Sequence, residues 1–162
     1  MRPEKYKELI DRNIGLISES QQATLKNSTV AVFGLGGLGG VISEILCRCG
    51  IGNLKIIDND KFDPTNLNRQ IFCFRDTLRK PKTTVTEKFL KRINPEIKIE
   101  KFTEITQDNV RQILKNAAVA ALAIDSAKPC VIISRATRDL GIPLVEGWAL
   151  PLGNVRVLTK NT

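Results

Sequence analysis

The period of the hydrophobic positions changes repeatedly along the chain. "STVAVFG", "NLKIIDND", "EIKIEKF", "AAVAALAID" and "IPLVEGWA" are short apolar or β-branched runs, and each predicts a strand. Between them lie stretches with the apolar spacing of helices. "LGGVISEILCRCG" stops at Gly50, and "PKTTVTEKFLKRIN" has proline at its first turn and Pro95 just beyond its end. "TQDNVRQILKN" opens on a threonine cap, and "SAKPCVIISRATRDLG" closes at glycine. Upstream, "YKELIDRNIGLISESQQATLK" reads as two short helices broken near Gly15, and "GNVRVLT" reads as a last strand. The segment "KFDPTNLNRQIFCFRDTLRK" fits neither period.

Strand–helix alternation with unbroken apolar strands predicts an α/β, Rossmann-like, mostly parallel sheet with helices on both faces, in a single domain. Residues 1–28 are expected to form a helical segment packing on that domain or on a dimer partner, and residues 29–162 the domain that carries the sheet. In such a sheet, ligands sit beyond the carboxyl ends of the strands.

Length and composition narrow the chemistry. A chain of 162 residues, 42% hydrophobic, can bury a proper core. No apolar run approaches a bilayer span and the N-terminus lacks the apolar centre of a signal peptide, so no membrane role and a cytoplasmic location are expected. Cys47, Cys49, Cys73 and Cys130 form no CxxC pair, which argues against a disulfide scaffold or a four-cysteine zinc site. Cys47, Cys49 and Cys130 are expected as small buried hydrophobes. The chain has no histidine, which removes the commonest general base and excludes a cysteine–histidine nucleophile. The net charge of +8 favours anionic partners, although the basic residues are scattered rather than blocked.

Candidate chemistry gathers at one edge. Gly34, Gly36, Gly37 and Gly39 follow the first strand and open a helix, the setting in which backbone N–H groups cradle phosphate. Asp58 ends the second strand, where a carboxylate can accept from ribose hydroxyls, and Asp60 follows it. A nicotinamide enzyme fits this much equally well. The irregular segment then adds an amide, Asn66, and an arginine, Arg69, in "NLNRQ" and a lysine, Lys82, in "RKPK"; the two fixed cations suit a nucleoside triphosphate better than a dinucleotide. Asp125, at the end of the buried run "AAVAALAID", is placed to hold magnesium against phosphate oxygens, or else caps the following helix. Trp148 either packs or lines a substrate channel, and packing is the expectation.

"GLGGLG", "IIDND", "NLNRQ", "KPK" and "AIDS", in this order and spacing, resemble the ThiF/MoeB/HesA family, the adenylyltransferases related to ubiquitin-activating enzymes. The resemblance runs from about Arg12 to the last residue. It implies ATP- and magnesium-dependent adenylation of a carboxylate, typically the C-terminal glycine of a ubiquitin-like or sulfur-carrier protein. It places Gly37 and its neighbours on the nucleotide, Asp58 on the ribose, Asn66, Arg69 and Lys82 on the triphosphate, and Asp125 on the metal. Arg12 resembles the arginine that family dimers reach across to the partner's ATP, which implies a homodimer. The chemistry is consistent: an ionised carboxylate attacks phosphorus without a base, so a chain lacking histidine can serve.

Several positions depart from the family pattern. The position three before Asp125, often acidic, is Leu122. "AIDS" followed by Pro129 is more similar to the branch acting on the threonylcarbamoyl group of transfer RNA, which makes that RNA a rival substrate. Relatives continue C-terminally with zinc-binding cysteine pairs and an acceptor cysteine, so no thioester or persulfide chemistry is expected of these residues. A catalytically silent nucleotide-binding or interaction module is the third reading.

Overall fold

The computed structural model describes residues 5–149 and 153–160. Six strands, β1 (Thr29–Phe33), β2 (Asn53–Ile57), β3 (Lys98–Phe102), β4 (Val119–Leu122), β5 (Leu144–Ala149) and β6 (Gly153–Leu158), form one sheet in the order β3-β2-β1-β4-β5-β6. All pairings are parallel except β5 with β6. The α/β, mostly parallel architecture therefore stands as expected, with the antiparallel edge supplied by "GNVRVLT".

Helices cover both faces. Alternation along β1 sends Val30 and Val32 to one side, against α3 (Gly37–Arg48) and α4 (Lys82–Ile93). Ala31 and Phe33 meet α5 (Val110–Leu114) and α6 (Ala127–Leu140) on the other. Both layers are dry: Val32, Phe33, Ile56, Leu90, Ile113 and Ile133 have no exposed surface. Truncating one of these large aliphatic side chains to alanine should cost about 2–5 kcal/mol. Gly141 closes α6 in the left-handed conformation at φ +68°.

The two upstream helices, α1 (Lys5–Ile10) and α2 (Glu19–Asn27), flank a short 3-10 turn over Asp11–Asn13. Ser18 and Gln21 exchange the two bonds of a capping box at the start of α2. Tyr6 donates to the Gly50 carbonyl, Gln22 to the Cys49 carbonyl and Asn13 to the same carbonyl, so this segment docks on the C-terminal end of α3. That end lies where chain enters β2, the edge of the sheet opposite the strands' carboxyl ends.

Three expectations need correcting. Cys49 is exposed, since it lies just past α3 where the helix turns away from the sheet, while Cys47 and Cys130 are buried. Burial pushes the Cys47 thiol up to about 11. Asp125 does not end β4: the strand stops at Leu122, which is buried, and Asp125 stands three residues into the loop. The helix begun by "TQDNVRQILKN" is regular only over α5, because Thr106 and Asn109 bond each other's backbone and hold a turn first. Among the described residues, no helix is long and apolar enough to cross a membrane.

Candidate active site

The register brings the three loops that matter out at one level. Phe33 pairs with both Ile57 and Leu122, so the turn at Gly34, the bend at Asp58 and the loop to Asp125 emerge side by side. The chain reverses direction across the sheet between β1 and β4, which is where a crevice opens in this architecture. A cleft of about 1250 Å³ lies there, lined by Gly34, Gly36, Gly37, Asp58, Asp60, Asn66, Arg69, Lys82 and Asp125.

The glycines divide into two kinds. A Cβ on Gly34 would meet the Ala123 carbonyl oxygen at 2.5 Å, and its φ of +90° is already left-handed. A Cβ on Gly39 would fall 1.8 Å from the Gly34 carbonyl oxygen, so Gly39 serves helix–strand packing and does not line the cleft. Gly36 and Gly37 are different. Their nearest neighbours would stand at 3.8 Å and 3.6 Å, ordinary contact, so the protein's own packing does not demand glycine there. Both face the cleft at the N-terminus of α3, and the missing Cβ leaves room for phosphate to approach the backbone N–H groups.

Asp58 ties the turn in place. Its Oδ2 accepts from the Leu35 N–H at 2.7 Å and its Oδ1 from the Asp60 N–H at 2.8 Å. Burial raises its pKa, opposed by these bonds and by Lys82. Each oxygen keeps a second lone pair, so a ribose contact remains open alongside this structural duty.

The irregular segment folds back through backbone bonds rather than through periodicity. Phe62 N–H donates to Lys80, Arg79 N–H to Phe62 and Lys82 N–H to Asp60. These bonds return the chain to the cleft and start α4 there, which buries Lys82 with its ammonium 2.8 Å from an Asp60 oxygen. Asn66 is held by a local box, its Oδ1 accepting from the Asp63 N–H at 3.1 Å. Arg69 is exposed, and its Cγ would stand 3.6 Å from a Cβ on Gly37, so its aliphatic stem lies against the glycine turn. Its Nη1 donates to the Thr65 carbonyl and to Asn68 Oδ1, each at 2.9 Å.

Asp125 is exposed at the cleft. Among the described residues, no group of three or more His, Cys, Asp or Glu side chains could hold a metal ion by itself. Any cation held by Asp125 would have to complete its coordination with oxygens from outside the chain. Arg12 stands apart, fully exposed in the 3-10 turn 3.8 Å from Asp11, at the end of the sheet opposite the cleft.

One residue that sequence reasoning did not place, Gln70, and one it left between two roles, Trp148, belong to the cleft wall. Gln70 is 7% exposed, lies against Gly36, and its Oε1 is buried without a hydrogen-bond partner. Trp148 packs on the α5–α6 core as expected and also lines the cleft, with Nε1 buried and unpartnered. Gln70 sits in "NLNRQ", which could have flagged it; Trp148 takes both of the roles the sequence had offered as alternatives. Orphaned polar atoms beside a ligand cleft fit groups that a ligand would satisfy.

Comparison with known proteins agrees with this geometry. Residues 10–162 match the ThiF family. The sulfur carrier protein ThiS adenylyltransferase of Bacillus subtilis is 31% identical over 134 residues, 81% of this chain and 40% of that protein. The tRNA threonylcarbamoyladenosine dehydratase of the same organism is 41% identical over 88 residues, 54% of this chain and 35% of that protein. The crystal structure of the E. coli tRNA N6-threonylcarbamoyladenosine dehydratase, TcdA, in complex with ATP superposes with a TM-score of 0.86 at 31% identity, over 92% of this chain and 63% of that one. This chain thus spans less than half the length of the two Bacillus proteins.

Proposed function

Because the chain belongs to the ThiF family, we propose that it binds ATP in the cleft and adenylates the C-terminal carboxylate of a ubiquitin-like or sulfur-carrier protein. The observation that carries this reading is the convergence of Arg69, Lys82 and Asp125 on a glycine turn whose Gly36 and Gly37 are open to a ligand. Gly36 and Gly37 would admit the phosphates, Asp58 the ribose, and Asp125 a magnesium ion shared with phosphate oxygens. The metal, when bound, offsets phosphate charge.

The step needs little acid–base chemistry. The partner's carboxylate, ionised at neutral pH, forms a bond to the α-phosphorus as the bond to the pyrophosphate oxygen breaks. Arg69, once its guanidinium leaves the Thr65 carbonyl and Asn68, and Lys82, once released from Asp60, would hold the negative charge that gathers on the departing pyrophosphate. Asn66 would keep the loop in register. Arg12 enters this scheme only from a second copy, since its own cleft lies at the opposite end of the sheet; a homodimer is part of the proposal.

Exchange of labelled pyrophosphate into ATP, with a Gly-Gly-ending ubiquitin-like protein and magnesium present, tests the reading. Exchange that depends on the partner and is lost in Arg69→Ala supports it. Tight ATP binding without exchange for any such partner would instead identify a silent binding module. A second reading has an observation of its own: Pro129, one turn beyond Asp125, lines the cleft, and the Bacillus dehydratase is the more identical of the two relatives over its aligned stretch. ATP consumption stimulated by transfer RNA carrying the threonylcarbamoyl group would favour it.

A further inference from the structure

A second hollow, of about 500 Å³, lies between α5 and α6 on the outer face of the molecule. Along α6 its lining residues recur as Lys128, Val131, Ile132, Arg135, Ala136 and Asp139, the spacing of one helical stripe. The floor is apolar: Val110 and Ala136 are buried and Ile132 is half-buried, while Val131 remains 48% exposed. A core-facing helix would bury that valine, and nothing among the described residues covers it here.

The rim is basic. Arg111, Lys128 and Arg135 stand against one acid, Asp139, and Arg111 Nη2 already holds Asp139 at 2.7 Å. Lys128 and Arg135 are exposed and make no ion pair among the described residues. Apolar floor plus unpaired cations is the complement of a segment with aliphatic side chains along one line and carboxylates beside it. A second copy of this chain is a poor occupant of this face, because a two-fold contact would set the basic rim against its own copy. A nucleic acid could use the cations but not the valine and isoleucine floor.

We propose that the α5–α6 groove docks an acidic, amphipathic segment of a partner protein. The proposal stands independently of adenylation, since no groove residue touches the cleft. It does place the docked segment beside it: Gln107 lines the groove next to Thr106 in the cleft, and Lys128 lines the groove next to Pro129 in the cleft. A partner held there would present its remaining chain to the reaction site at raised effective concentration.

The test is amide-shift mapping on the whole chain with a capped helical peptide carrying a leucine stripe flanked by glutamates. A lysine-for-glutamate version and a short RNA duplex run in parallel. The expected result is shifts confined to α5 and α6 with the glutamate peptide, weakened by salt. Its affinity should fall about tenfold or more in Val131→Asp and in the Lys128→Glu/Arg135→Glu pair. All three side chains are exposed, and thermal unfolding of each variant verifies its fold. The proposal is overturned if groove amides stay still, if the lysine peptide binds equally well, or if the RNA duplex moves the same amides. ATP affinity of Val131→Asp, expected to match the parent, separates failure of the groove from failure of the cleft reading.

Discussion

The Lys82 ammonium lies 2.8 Å from an Asp60 carboxylate oxygen, with Asp58 at 3.9 Å. The cation best buried at the cleft is therefore neutralised inside the chain before any ligand arrives. An incoming triphosphate has to compete with Asp60, whose side chain is 63% exposed and free to swing away. Asp60→Asn should consequently tighten ATP binding by about three- to tenfold, since charge-assisted bonds to Lys82 pass to the phosphate. The same change should cost the ligand-free protein about 1 kcal/mol or less, as expected for a solvent-screened partner. Calorimetric titration and thermal unfolding read the two effects separately.

The two kinds of glycine make a second prediction. Gly36→Ala and Gly37→Ala should fold normally, because each new methyl meets nothing closer than 3.6 Å. At Gly37, inside α3, alanine should even add up to about 1 kcal/mol through helix propensity. ATP affinity should nonetheless drop at least about tenfold in both, if phosphate occupies the space the methyl takes. Gly39→Ala should do the opposite: the methyl at 1.8 Å from a carbonyl oxygen forces α3 off β1. A stability loss of about 1–3 kcal/mol is expected from such overpacking, measured by urea unfolding.

How much of this was readable in advance depends on what fixes each part. The strands and long helices were legible because burial on both faces of the sheet writes itself as apolar period, as in Val30–Phe33 and Ala120–Leu122. The segment from Asp58 to Lys82 was not, since its path is set by side chains bonding local backbone: Asp63 with Asn66, and Thr77 Oγ1 with Phe74. Such bonds leave no period. The cleft residues were found by type, while the Asp60–Lys82 pairing, the packing duty of Gly39 and the place of Trp148 needed the fold.

Two carboxylates titrate in opposite senses. Burial raises Asp58, so the folded chain holds that proton more tightly than the unfolded one. Its contribution to stability is fullest in acid and is lost as pH rises from the ordinary aspartate value of 3.8 through the raised one. Hydrogen bonds from Lys101 and then Lys91 lower Glu87. That contribution is complete above the ordinary glutamate value of 4.5 and is lost as pH falls through the lowered one. Glu87→Gln should therefore cost about 0.5 kcal/mol at neutral pH, a small value because the group stands near solvent. The cost should vanish in strong acid. Asp58→Asn should show the reverse trend, with its deficit largest in acid, in urea unfolding followed across pH.

The unpartnered Gln70 Oε1 argues the last prediction. A buried acceptor without a donor costs the folded chain about 1–3 kcal/mol relative to one that is satisfied. Nothing among the described residues recovers that cost, although Gln70 lies against Gly36 and could be leucine without loss of packing. Gln70→Leu should then leave stability unchanged or raise it by up to about 1 kcal/mol, because the orphaned oxygen is gone. The same variant should weaken ATP binding or lower pyrophosphate exchange if the ligand supplies the missing donor. A side chain that helps the loaded cleft at the expense of the empty one is the signature of a residue held for function. Urea unfolding with and without ATP reads both halves: the variant should equal or exceed the parent when empty and gain less on loading.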